Sequence, residues 1–436
     1  MFVKKFCWFF VPGLTLFVLL AGVPVRAEQW YKGNTHTHSL WSDGDDFPEM
    51  IVDRYRRHGY DFLALSDHNI LSEGTRWMDE DAIVTRAKGR AVIDKYEKRF
   101  DDDWIERREE NGKTQFRLKT LTEFRSKFEK PGEFLLIQGE EITDGFENKP
   151  VHINAANLQK LIPPQHGQSV RDTMRNNFKA VRDQEQHLGV PILAHLNHPN
   201  FGWAITAEDI AHVVEEHFFE VYNGHPAIHH MGNEYRPGDE RLWDIANTLR
   251  IDQLHARPLF GVATDDAHNY HGPSGAVSGR GWVMVRAERL SPEALIHAMR
   301  AGDFYASSGV VLRDVRYDRH AHAVTVEVDP KPGATYTIQF IGTRKGYDPT
   351  SRPAVDGRGK RIDTTRIYSN DIGEVLVSVE GVKATYKLGG DELYVRGVVT
   401  SSLPPQNPSF EGQKRQAWTQ PVGWEAHIPA RAGDGP

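Results

Sequence analysis

The chain has 436 residues, 39% hydrophobic and 26% charged, with a net charge of -7, the balance of an ordinary soluble globular protein. No stripe of Lys and Arg runs along it, so nucleic acid is not an expected partner. The single cysteine, Cys7, leaves the rest of the chain without thiols, which excludes disulfides and restricts any metal to nitrogen and oxygen ligands.

Residues 1 to 27 read as a secretory signal. Lys4 and Lys5 precede an apolar run from Phe6 to Val25, and Val25-Arg26-Ala27 supplies a small residue at the expected cleavage point. Cleavage near Ala27 predicts a periplasmic or secreted protein, with no membrane span in the mature chain and a net charge of -10. From residue 28 to 312, short apolar runs alternate with amphipathic helices. Phe62 to Leu65, Phe134 to Ile137, Pro191 to Ala194, Phe218 to Val221 and Leu259 to Ala263 have the texture of buried strands. Val170, Met174, Phe178 and Val181 recur at helical spacing ahead of Gly189, and Ser291-Pro292 opens a helix that Gly302 ends. Such alternation predicts a parallel α/β sheet, and polar residues just beyond the strand ends favour a barrel with its chemistry at that face. Residues 72 to 131 interrupt the rhythm with dense charge and read as a helical insertion on the surface. Residues 313 to 436 turn to period-two alternation, predicting a small antiparallel β-sandwich, with a Pro- and Gly-rich tail that wraps over a neighbour.

The chemistry-bearing residues sit at those strand ends. In Thr35-His36-Thr37-His38 both imidazoles face one side of an extended strand, because side chains alternate. Asp43 lies in a Ser-Asp-Gly turn, His68 ends Leu65-Ser66-Asp67-His68, Glu141 ends Gly139-Glu140-Glu141, and His152 follows alone. Ala194-His195 and Asp266-Ala267-His268 complete the series. Imidazoles and carboxylates gathered from so many points suit a multinuclear divalent metal site. Glu140 and Asp265 point the other way from their neighbours and read as structural, and Asp67 as a residue that orients a histidine.

In order and type these motifs resemble the polymerase and histidinol phosphatase (PHP) superfamily of metal-dependent phosphoesterases. The tail sequence Ala417-Trp418-Thr419-Gln420-Pro421 resembles its branch of carbaryl hydrolase-like proteins. The resemblance implies a distorted (β/α)7 TIM-like barrel holding two or three divalent ions of zinc, manganese or iron. It implies one ion on His36, His38, Glu141 and Asp266, with Glu141 bridging to a second on His152 and His268, and a third on Asp43, His68 and His195. Asp266, His268 and Glu141 would carry the chemistry, a metal-bound hydroxide attacking a phosphate mono- or diester. The Ala and the spacing from Gly189 favour His195 as ligand, whereas the proline that follows favours His198, which stays a substrate-facing residue or alternative ligand. Asn223 and Arg280 are further candidates for binding the small ester substrate. Two other functions use the same residues: a carbamate or carboxylic ester hydrolase, and a secreted binding protein without turnover.

Overall fold

The computed structural model describes residues 1–3 and 28–429, so most of the expected signal lies outside the described residues. Among the described residues, no helix is long and apolar enough to cross a membrane. The architecture is mixed α/β, organised on one sheet of 13 strands. Gln29–Asn34, Phe62–Leu65 and Leu135–Phe146 run parallel, and the four side chains of Phe62–Leu65 are all buried, as expected of a strand covered on both faces. The wholly parallel sheet expected from sequence is not what forms. Leu135–Phe146 continues as a hairpin into Lys149–Ala156, which pairs antiparallel with Leu193–Leu196, before parallel order resumes through Phe218–Asn223 and Phe260–Thr264. On its other side, Gln29–Asn34 pairs antiparallel with Trp282–Ala287, and that strand with Phe304–Ser307.

The helices follow their sequence signals. Val170–Leu188 starts where the Ser169 hydroxyl accepts the Asp172 amide and stops at left-handed Gly189, burying Val170, Met174, Phe178 and Val181. Pro292–Ala301 is capped by Ser291, ends at Gly302 and buries Leu295 and Met299.

The Phe260–Thr264 strand has one ladder neighbour. Its other edge meets a side chain instead: Gly261 donates to and accepts from the Gln420 amide, at 2.8 and 3.0 Å. At the top, a parallel bridge between Thr37 and Ala267 brings the first strand's exit against that of Phe260–Thr264.

Two regions depart from expectation. The charged insertion is not all helix: Arg76–Asp79, Arg107–Glu110 and Lys113–Leu118 form an antiparallel sheet beside helices Glu80–Arg86, Ala91–Arg99 and Leu121–Phe128. It buries Ile83, Ile93, Phe116, Phe124 and Phe128 in a core shared with Trp41 and Phe47. Polar pairs lock it down: Lys95 on Asp46, Tyr96 and Trp104 on Glu49, and Arg99 bidentate on Asp53. At the other end of the chain, Leu312–Asp318, Ala323–Val328 and Lys383–Lys387 face the strands Tyr336–Arg344 and Glu392–Ser401 across a core of Val324, Val326, Ile338, Phe340, Val395 and Val399. The tail expected to wrap over a neighbour contributes Arg415–Thr419 to the large sheet, between Phe304–Ser307 and Glu392–Ser401, with Trp418 fully buried.

Candidate metal centre

Strand ends and the turns behind them deliver the polar side chains to one pocket. His36 and His38 follow Asn34 at the exit of the first strand, where the His38 amide donates to Ala267 and the Asp266 amide to His36. A parallel bridge joins His68 to Glu141. Asp266 takes up a left-handed φ of 48° directly after Phe260–Thr264, which turns its carboxylate back toward the first strand. Such strain at a non-glycine residue is tolerated where a site requires it.

Glu141 and Asp266 form the centre. The Glu141 Oε2 atom lies 3.3 Å from both His36 Nε2 and His38 Nε2, and 2.9 Å from His68 Nδ1. Its Oε1 lies 3.0 Å from His152 Nδ1 and 3.3 Å from His198 Nε2. Asp266 Oδ1 sits 3.2 Å from His36 Nε2, 3.1 Å from His38 Nε2 and 3.5 Å from His268 Nδ1. Asp43, half-exposed, approaches His38, His68 and His268 at 3.4 to 3.5 Å. These side chains make four overlapping groups: His38, Asp43, His68 and His268; His36, His38 and Asp266; His36, Glu141 and His198; His68, Glu141 and His152.

The donor set fits divalent cations. His36 Nε2, both ring nitrogens of His38 and Glu141 Oε2 are buried without a hydrogen-bond partner among the described residues. Buried polar atoms are rarely left so, and such a set beside the carboxylates of Glu141 and Asp266 is what divalent cations would satisfy. Protonation gives the same answer. Burial and the neighbouring His268 and His68 push His38 down to about 3, so the ring is neutral and offers one nitrogen lone pair to a cation. Burial opposes charge on His68 as well, but Glu141 and Asp43 outweigh it and raise that imidazole to about 10. His268 rises to about 9 in the same way, against burial, beside Asp43 and Asp266. A bound cation would take the place of those protons beside the carboxylates.

A second tier aims the ligands. Glu220, which sequence reading passed over, is fully buried in Phe218–Asn223. Its Oε1 accepts from His36 Nδ1 at 2.7 Å and from the Thr264 hydroxyl at 2.6 Å. Its Oε2 accepts the His198 amide at 2.7 Å and the Asn223 side-chain amide at 2.8 Å. The signal was present, a carboxylate inside an apolar strand. Asn197 donates to Glu141 Oε1 at 2.8 Å. Asp67 does not orient a histidine directly; it takes the amides and hydroxyls of Ser39 and Ser42 and so fixes the turn that carries Asp43. From the insertion, Arg86 Nη1 donates to the carbonyls on either side of Asp43, Ser42 at 2.6 Å and Gly44 at 3.4 Å.

Glu140 and Asp265 face away, as their alternation required. Glu140 accepts the Ile162 amide, and burial lifts it to about 8. Asp265 accepts from Tyr55 and the amides of Gly279, Arg280 and Gly281.

Four expectations change. His195, the favoured ligand, belongs to none of the four groups: it is buried and meets the Thr35 hydroxyl at 3.1 Å. His198 takes the place beside Glu141, reached through a backbone φ of 24°. Arg280 does not face the pocket; its guanidinium is spent on the carbonyls of Gly224, Gly275, Asn407 and Pro408 and on the Asn407 side chain. Asn223 is buried and holds Glu220 and Asp266, a positioning role rather than substrate contact. His268 groups with Asp43 instead of with His152.

No protein-family model matches the chain, and no curated protein matches it. Among the solved structures that align with it are two described as metal-dependent phosphoesterases. One is a two-domain protein containing a predicted PHP-like metal-dependent phosphoesterase from Bacteroides vulgatus, 16% identical at a TM-score of 0.38, over 91% of this chain and 97% of that one. The other is a candidate metal-dependent phosphoesterase from Bifidobacterium adolescentis, 14% identical at a TM-score of 0.29, over 56% of this chain and 90% of that one. Likeness at that level assigns no activity, and the site itself has to carry the functional reading.

Proposed function

We propose that the chain is a PHP-type phosphoesterase, a distorted barrel that acts on a phosphate mono- or diester outside the cytoplasm with two or three zinc, manganese or iron ions. The observation that carries this reading is the buried, unpartnered set of His36 Nε2, His38 Nδ1 and Nε2 and Glu141 Oε2. His36, His38, Glu141, His198 and Asp266 would hold the inner ions, and Asp43, His68, His152 and His268 the outer side. Bound there, the ions supply Lewis acidity that polarises the ester and acidifies water.

The protein's own residues do the rest. His36 and His38 have no solvent exposure, whereas His68 and His268 are partly open, so substrate approaches over the Asp43 side. Glu220 accepts the proton on His36 Nδ1, which keeps the Nε2 lone pair facing the centre. His225 has its ring 5.5 Å from His268 and belongs to no ligand group. Its Nδ1 accepts the Ala227 amide, which leaves the proton on Nε2 as a donor to a substrate oxygen.

The test is elemental analysis of the purified protein together with a panel of phosphate mono- and diesters, aryl carbamates and carboxylic esters. Phosphate release that needs the metal and is lost in His36→Ala supports the reading. Faster turnover of carbamates or carboxylic esters would move the substrate class, and absence of bound metal would reject it.

A further inference from the structure

One wall of the pocket is unlike the rest. The more open candidate ligands, Asp43, His68 and His268, have polar His225 beside them. Next to two other candidate ligands stands Phe201, whose ring centroid lies 5.3 Å from that of His198 and 6.3 Å from that of His152, both beside Glu141 Oε1. Among the described residues it is the one carbocyclic ring packed against the imidazoles of the four ligand groups. Phe201 is half-buried rather than sealed in the core.

The backbone is bent to hold it there. His198, Gly202 and Trp203 have φ values of 24°, 59° and 57°, three left-handed residues within six. For a tryptophan that conformation is an outlier, and such outliers persist where surrounding contacts enforce them. The contacts are visible. Trp203 stacks on His229 at 4.2 Å with 3° between the planes, and the Arg236 guanidinium lies 5.0 Å from the centroid of the indole. The Phe201 amide donates to His198, and the Asn200 side chain donates to His229 and Pro237.

We infer that Phe201 is a specificity-determining residue, and that the ester taken by this site carries an aromatic group which lies against it. The inference rests on the phosphoesterase reading and deepens it. Aromatic rings pair edge-to-face or offset at centroid separations of about 4.5–7 Å and gain beyond simple burial, so a phenyl group on the ester is selected over a methyl group of equal charge.

The experiment is calorimetric titration of the metal-loaded full chain with phenylphosphonate and methylphosphonate, which bind without being turned over. Wild type should bind the phenyl compound roughly tenfold more tightly, and Phe201→Ala should bring the two within about twofold of each other. In parallel, Phe201→Ala should narrow the preference for phenyl phosphate over methyl phosphate in kcat/KM, chiefly through KM for the phenyl ester. Metal content and circular dichroism verify the fold, and Phe201→Leu serves the same comparison should the alanine variant lose its metal. A wild type that binds both phosphonates equally, or a phenyl preference that survives in both variants, overturns the inference alone. Failure of the metal-loaded wild type to bind either compound overturns the phosphoesterase reading, and the inference with it.

Discussion

Glu220→Gln is a nearly isosteric change that should disarm the centre without touching a ligand. The carboxylate accepts four bonds, two on each oxygen: His36 Nδ1 and Thr264 on Oε1, the His198 amide and Asn223 on Oε2. An amide can accept on one side only. If its nitrogen faces His198 and Asn223, two donors confront an NH2 group, and two bonds to a charged acceptor are lost, each about 1.5–3 kcal/mol. If it faces His36 instead, the Thr264 hydroxyl can rotate to accept, but His36 must accept as well. Its proton then moves to Nε2, the atom 3.3 Å from Glu141 and 3.2 Å from Asp266, and the lone pair leaves the metal side. The second orientation costs less in stability, so the damage should fall on metal binding, by roughly 10–100-fold, the usual effect of losing such a support. Competition with a chelator of known affinity, followed by elemental analysis, measures it, with a melting curve alongside. Wild-type affinity together with a wild-type melting temperature would refute the argument that Glu220 sets the His36 tautomer.

Arg86→Ala should lower occupancy at the group containing Asp43 and spare ions bound by His36 and Glu141, because it releases the carbonyls of Ser42 and Gly44 alone; unchanged metal stoichiometry and affinity would contradict this. Arg280→Met should cost about 3 kcal/mol of stability by stranding buried carbonyls, with KM for a small substrate unaltered, and a raised KM in a fully stable variant would return Arg280 to the substrate's side. Glu216 is buried far from the ligands at the start of Phe218–Asn223, and burial lifts its carboxyl from 4.5 to about 8. The stability it allows is complete below about pH 4.5 and is lost as pH rises through 8, so Glu216→Gln should flatten the fall in melting temperature between pH 5 and 8. Identical pH profiles for the variant and the wild type would show that the carboxyl is not held protonated.

Much of the site was legible because its residues come as short local patterns. His36 and His38 share a side through strand alternation, and Glu141 and Glu140 separate for the same reason. The choice between His195 and His198 was not legible, since it depends on a φ of 24° past the strand end, which no periodicity encodes. Arg280 misled because its partners, Asn407 and Pro408, lie 127 and 128 residues away and nothing local announces them. The insertion hid its strands behind charge: all four residues of Arg107–Glu110 are exposed, so a buried apolar face never marks them. The hairpin that breaks the parallel sheet joins Leu135–Phe146 to Lys149–Ala156, and the second half of the first strand carries Glu141, Thr143 and Asp144 where an apolar core would be read.

The Gln420 amide that caps Gly261, and the strand Arg415–Thr419 beside it, have a consequence for biogenesis. A ribosome delivers every candidate ligand by residue 268, yet the edge of Phe260–Thr264 and the face of Tyr222 against Trp418 are completed only by the last stretch of chain. The sheet edge beside the candidate ligands is therefore closed only once residue 420 has been made.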